Sequence, residues 1–240
     1  MTEHVLPLDA AVLHGRFSRE LPPVLTVEPG DSVKFSTPNA GWRVGRDEPL
    51  ESRRPDVDTG HALAGPIEVR GARAGQVLAV TVDEVVPGSW GVTFGGETRL
   101  DWELADGVGP GSTLFLPIAV DGARFSAGDG HAAQGDGEVS GTAIEAPVTA
   151  QVTLDVRDDL ELEWPVARVD GAWLTFGFDE HLGRAARIAV DGLLDLMERE
   201  HGLARGEATA FASVVADLRV TQVVNEVLGV HAVLRDDAFL

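Results

Sequence analysis

The stretch RFSAGDGHAAQGDGEVSGTAIE, residues 124–145, gathers the side chains that can hold a cation or move a proton. Asp129 and His131 flank Gly130, Asp136 and Glu138 flank Gly137, and Glu145 closes the run. Side chains alternate on an extended backbone, so residues 129 and 131 are expected on one face. With Phe125–Asp129 ending a strand and Glu138 opening the next, the loop AAQGDG turns the chain and brings Glu138 back towards His131. One imidazole and two carboxylates on a common surface suit a divalent cation, zinc before calcium. A complete site needs donors from elsewhere. The segment DTGHALAGPI offers His61 directly before an apolar run, with Asp58 close by. The plainer reading of Gly-Asp-Gly is a tight turn in which the aspartate bonds its own backbone, and it suits Asp136 taken alone. The remaining histidines, at 4, 14, 181, 201 and 231, read as solvated.

Composition narrows the chemistry. The 240 residues carry 19 basic and 39 acidic side chains, a net charge of −20. Such a surface offers no patch for a phosphate backbone or an anionic membrane, so neither nucleic acid nor membrane is an expected partner. A small neutral or cationic substrate, or a metal ion, fits this field. There is no cysteine and no tyrosine, and Lys34 is the only lysine. Thiolate nucleophiles and cysteine-ligated zinc are excluded. No apolar run is long enough to span a bilayer, and the N-terminal segment lacks the pattern of a secretory signal, which reads as a cytoplasmic protein.

The elements that must position these groups read as strands up to about residue 178. PPVLTVEPGDSVKFST, GPIEVRGARAGQVLAVTV and GVGPGSTLFLPIAVDGARF each run apolar alternation across a glycine-containing turn. APVTAQVTLDVRDD continues the pattern. Short strands punctuated by glycine and proline predict a mainly β protein, a jelly-roll-like β-sandwich. Residues 42–59 and 94–111 read as irregular loops. From residue 179 the period changes: Leu182, Ala186, Ala189, Leu193 and Met197 recur at helical spacing, with Asp179 as N-cap and Gly202 as stop. ARGEATAFASVVADL predicts a second helix, and the final segment alternates again. The expected division is a β body over 1–178 and a C-terminal α/β portion with two helices over 179–240, packed as one unit.

The signature FSAGDGHAAQGDGEVSGTAIE closely resembles that of the acetamidase/formamidase family, with its Asp, His, Gln and Glu in order. GHALAGPIEV resembles the family's His-x-x-x-Gly-Pro strand, and LPPVLTVEPGDSVKFST its N-terminal strand pair. The resemblance implies a β-sandwich, metal-dependent hydrolysis of a small linear amide of the formamide or acetamide type, and a homo-oligomer. It makes His61, Asp129 and His131 the leading metal ligands and Glu138 a further ligand or the general base, with His131 also catalytic. Glu145 is a further candidate. Three positions depart from the family pattern. Asn39 stands where an aspartate is usual, and Ser140 where a cysteine precedes GTAIE. The family's Gly-Gly-Asn-x-Asp segment is replaced by GGETRLDWELADGVGPGS, where Asp101 or Glu103 are the candidate substitutes. Amides are opened by cysteine, by serine with lysine, or by metal-activated water. The missing cysteine and the single lysine leave the last, with Trp90, Phe94 or Trp102 as candidate pocket lining. The competing expectation is a metal-stabilised binding protein without turnover.

Overall fold

A computed structural model describes residues 1–103 and 111–239. The first strands are β1 (Glu3–Leu6), β2 (Leu13–His14), β3 (Leu25–Val27), β4 (Asp31–Thr37), β5 (Arg43–Gly45) and β6 (Glu48–Pro49). Then come β7 (Leu63–Val69), β8 (Val77–Pro87), β9 (Trp90–Gly95), β10 (Thr98–Glu103), β11 (Thr113–Pro117) and β12 (Phe125–Gly128). The chain continues through β13 (Val148–Arg157), β14 (Val166–Val169) and β15 (Ala172–Asp179) to α1 (Leu182–His201) and α2 (Arg205–Val215), and finishes on β16 (Ala216–Gln222) and β17 (Leu228–Arg235).

Nine strands form the main sheet, in the order β1-β4-β13-β8-β11-β14-β15-β17-β16. A smaller sheet of β12-β7-β2, with β3 also paired to β7, faces it. The core between them interlocks both inner faces. Leu13, Val27, Ile67 and Val69 come from the small sheet and meet Val33, Phe35, Leu78, Val80, Val152 and Leu154 from the large one. Inward residues are spaced two apart, as the alternation in DSVKF and QVTLDV requires. The turns before β4 and β8 need left-handed backbone, which Gly30 (φ 85°) and Gly75 (φ 90°) supply without steric cost.

The main sheet runs across residue 178, because β15 pairs with β17 along its whole length. The two helices cover this far end. Ala189, Leu193, Leu196 and Met197 of α1 pack with Ala208 of α2 on Val230, Ala232 and Leu234. Burying each of the leucine, methionine and valine side chains contributes about 1.5–3 kcal/mol, and each alanine methyl less. Helix α1 stops at Gly202, whose left-handed backbone (φ 66°) turns its N–H back to the Glu198 carbonyl. Its N-cap is His181, not Asp179. Asp179 ends β15 and accepts the His181 backbone N–H at 2.8 Å, so it shapes the turn one step earlier than the sequence suggests.

Two further expectations are corrected. Residues 94–103 are no irregular loop: β9 and β10 form an antiparallel hairpin through Gly96 and Glu97, with Trp90 and Val92 buried. His14 and His231 are not solvated, being 2% and 9% exposed. The His14 Nδ1–H donates to the Arg16 carbonyl (2.8 Å), leaving Nε2 to accept from Ser126 Oγ (2.9 Å). His231 Nδ1 bonds Thr221 Oγ1 at 2.8 Å. Burial lowers the pKa of both rings, favouring the neutral form.

Candidate metal centre

Strand β12 ends at Gly128, packed so closely on β7 that a Cβ there would overlap the Ala62 carbonyl. The chain then leaves the extended path. Asp129 has φ 55°, so it does not continue the strand's alternation as the sequence suggests. The next residues form a short ladder instead. Ala146 donates its N–H to the Gly130 carbonyl, Ala132 to that of Ile144, and His131 bridges to Glu145. Glu145 also exchanges both backbone hydrogen bonds with Val92 of β9, at 2.9 Å each. Glu145 is thus pinned between His131 and the hairpin.

Backbone pinning brings three donors together. Asp129, His131 and Glu145 each offer one ligand atom, all within 4.8 Å of one another. The His131 Nδ1–H donates to Gln134 Oε1 at 2.8 Å, which turns Nε2 towards the two acids. Nε2 lies 3.4 Å from Asp129 Oδ1 and 3.2 Å from Glu145 Oε2. These are charge contacts, not aligned hydrogen bonds: both oxygens are buried and neither has a hydrogen-bond partner. The second oxygen of each acid is occupied, Asp129 Oδ2 by His61 Nδ1 (2.9 Å) and Glu145 Oε1 by the Ala143 N–H (3.0 Å).

The electrostatics follow from this crowding. The carboxylates of Asp129 and then Glu145 push His131 up to about 11, against the opposing effect of burial. Burial raises Asp129, but the contacts with His131 and His61 outweigh it and hold the carboxyl at about 2. In the absence of a cation, a proton on Nε2 balances the two acids. With that proton removed, Nε2, Oδ1 and Oε2 are three donor atoms within 4.8 Å of one another, and a cation among them would give the orphaned Oδ1 and Oε2 a partner. An imidazole and two carboxylates are a donor set that suits a borderline or hard divalent ion. The residues therefore fit a metal ion. Gln134 fixes the imidazole tautomer, as outer partners of metal-bound histidines do.

The triad opens on a cavity of about 380 Å³. His61 and Glu138 line it, as do the buried Asn39 and the aromatic wall of Trp90 and Phe94. His61 stays largely exposed, with Nε2 directed away from its bond to Asp129. Glu138 shares the cavity but not the triad. It sits in a turn (φ 44°) instead of opening a strand, so the expected hairpin that would carry it to His131 does not form. Among the described residues its carboxylate has no ion-pair partner within 4.0 Å. Asn39 Oδ1 accepts the Arg43 N–H (3.0 Å), leaving its amide NH₂ available. Asp101 is taken up by Trp90 Nε1 (3.1 Å) and Arg99 (2.8 Å) and does not line the cavity. The side chains of Glu103 and Trp102 lie outside the described residues. Asp136 meets Arg219 at 3.8 Å on the surface and Asp58 binds Arg54 and Ser52, so neither orients a triad histidine. Sequence reasoning missed Gln134 as the partner of His131, although an i, i+3 polar pair at a turn was a readable signal.

Comparison with known proteins bears on the family and the fold. The model of the acetamidase/formamidase family matches residues 3–101 and 104–171, a range that includes every cavity acid and histidine named above. A protein of Schizosaccharomyces pombe provisionally named a formamidase is 31% identical over 77 residues. The chain spans 19% of that relative's length. In fold, the chain is similar to a predicted acetamidase/formamidase of Thermoanaerobacter tengcongensis, with a TM-score of 0.87 and 20% identity over 98% of this chain and 96% of that one. It is also similar to an acetamidase of Yersinia enterocolitica, with a TM-score of 0.83 and 23% identity over 99% and 93%.

Proposed function

The chain belongs to the acetamidase/formamidase family, and on that footing we propose that it hydrolyses a small neutral amide to a carboxylic acid and ammonia at a divalent metal ion. The observation that carries the proposal is the pair of buried, partnerless oxygens, Asp129 Oδ1 and Glu145 Oε2, flanking His131 Nε2. Asp129, His131 and Glu145 would hold the ion, zinc before calcium, and His61 braces Asp129 from the cavity side. When bound, such an ion supplies Lewis acidity to a carbonyl and to water.

The chain's own residues supply the rest. Glu138 is a free carboxylate on the same cavity wall, suited to accept a proton from attacking water and return it to the leaving nitrogen. Asn39 lines the cavity, and its NH₂ group would donate to a substrate oxygen. Trp90, Val92 and Phe94 give an apolar wall that selects an uncharged acyl group. Acetamide occupies roughly 100 Å³, about three times a water's share of liquid volume. The cavity therefore admits somewhat longer amides as well. No helix among the described residues is long and apolar enough to cross a membrane. A cysteine-free, strongly acidic protein acting on a neutral solute fits a cytoplasmic setting, and the family resemblance supports a homo-oligomer.

The test is ammonia release from formamide, acetamide, propionamide and butyramide by protein loaded with zinc. Turnover of at least one amide, abolished by a chelator and restored by the metal, is expected. A cation that raises thermal stability while no amide is turned over would replace this reading with that of a metal-stabilised binding protein.

A further inference from the structure

Strand β16 is the terminal strand of the nine-stranded sheet, and one of its edges is open. Its last residues are covered, since Gly137 accepts the Val223 N–H and donates to the Thr221 carbonyl. Upstream, Ala216 donates its N–H to the Ala212 carbonyl at the end of α2, and among the described residues no partner is recorded for the outer backbone groups of 217–220. The side chains there are uncovered too: Leu218 is 51% exposed, and Val214, at the end of α2, is 82% exposed. Leu218 opposes Ala232 and so lies on the helix-covered face, whereas Asp217 and Arg219 oppose Val233 and His231 on the other face.

An open edge carrying exposed apolar side chains is a template for another strand. Sequence decides which strand fits. When two copies of one strand pair antiparallel about a two-fold axis, outward-facing backbone groups must meet, and this puts the axis on a residue. An axis on residue 217 or 219 sets two like charges face to face. An axis on Leu218 sets Asp217 of each copy opposite Arg219 of the other, twice, with the two Leu218 side chains adjacent on the opposite face. Cross-strand pairs of opposite charge and of apolar groups are the units that stabilise a sheet. Arg219 has only a loose in-chain contact with Asp136, at 3.8 Å between well-exposed groups, which leaves it free to turn.

We infer that this chain dimerises through the β16 edge, the two nine-stranded sheets joining antiparallel about Leu218. The pairing would also brace the catalytic cavity, because Gln222 and Asn225 just downstream line it and Gly137 is stitched to the same strand. The inference does not depend on the amide chemistry.

Light scattering coupled to gel filtration tests it, with the 25.4 kDa chain as the unit. The wild type is expected at twice that mass or an even multiple. D217R and R219D each turn both opposed pairs into like-charge pairs and should raise the dimer dissociation constant about tenfold or more. The double variant D217R/R219D restores opposite charges in reversed order and should dimerise again. Circular dichroism and a melting curve confirm that each variant is folded, which these exposed positions favour. A monomeric wild type overturns the inference, as does an assembly whose mass ignores the single reversals or that the double reversal fails to recover. In those cases the charges serve only to guard the edge.

Discussion

Glu145→Gln separates a cation site from a mere cluster of acids. In the cation-free protein, Asp129 Oδ1 and Glu145 Oε2 are buried without hydrogen bonds. A buried unsatisfied polar atom costs about 1–3 kcal/mol, more when charged. Giving both oxygens a partner should therefore recover roughly 3 kcal/mol, close to the ~2.7 kcal/mol that a ligand contributes at a hundred times its dissociation constant. For a chain of this length about 1 kcal/mol moves the melting temperature by about 2–4 °C. Zinc added to chelator-treated wild type should then raise it by about 6–12 °C. In Glu145→Gln the side-chain oxygen still accepts the Ala143 N–H, so the local fold is kept while one anionic donor is lost. The zinc-induced rise should shrink to less than a third of the wild-type value. Calorimetry on both proteins, with and without zinc, gives the four temperatures needed. An equal rise in the two proteins, or no rise in the wild type, would refute the assignment of Glu145 as a ligand.

Two other perturbations test the frame around the site. Gly128→Ala would drive a methyl group into the Ala62 carbonyl and within 2.9 Å of Leu63 Cα, both backbone atoms. Overpacking of this kind costs about 1–3 kcal/mol, and because the next residue is Asp129, amide turnover should fall by more than the loss of folded protein explains; normal specific activity would contradict the placement. Asp31 is held at about 2, first by its contact with His4 (3.0 Å) and then by the Thr2 N–H (2.6 Å), against the effect of burial. A depressed carboxyl stabilises the fold above its unfolded value near 4 and loses that contribution as pH falls through about 2. The stability gap between wild type and Asp31→Asn, read from urea unfolding, should close as the solution is acidified from about pH 5 towards 2. A gap independent of pH would show that Asp31 acts through shape alone.

Much of the protein was legible in one dimension. The alternation of VKF and QVTLDV and the apolar run VLAV marked strands, and the 3.6-residue spacing from Ala189 to Met197 marked α1, because these patterns follow from local backbone geometry. The resemblance of FSAGDGHAAQGDGEVSGTAIE to a known signature pointed to the family and to Asp129 and His131. The β9–β10 hairpin is also marked in the sequence, since Gly-Gly between alternating Val92, Phe94 and Leu100 is a turn signal. Which acid stands against His131 was not legible. That depended on Asp129 and Glu138 leaving the extended region at φ 55° and φ 44°, which broke the assumed alternation and hairpin. It depended as well on Val92, fifty-three residues upstream, pinning Glu145 through two backbone bonds. The burial of His14 and His231 has the same origin, set by Ser126 and Thr221 brought up from other strands. Periodicity records how a residue faces its own element. Which groups from separate elements meet, and which oxygens are left without a partner when they do, is settled only when the sheets close around them.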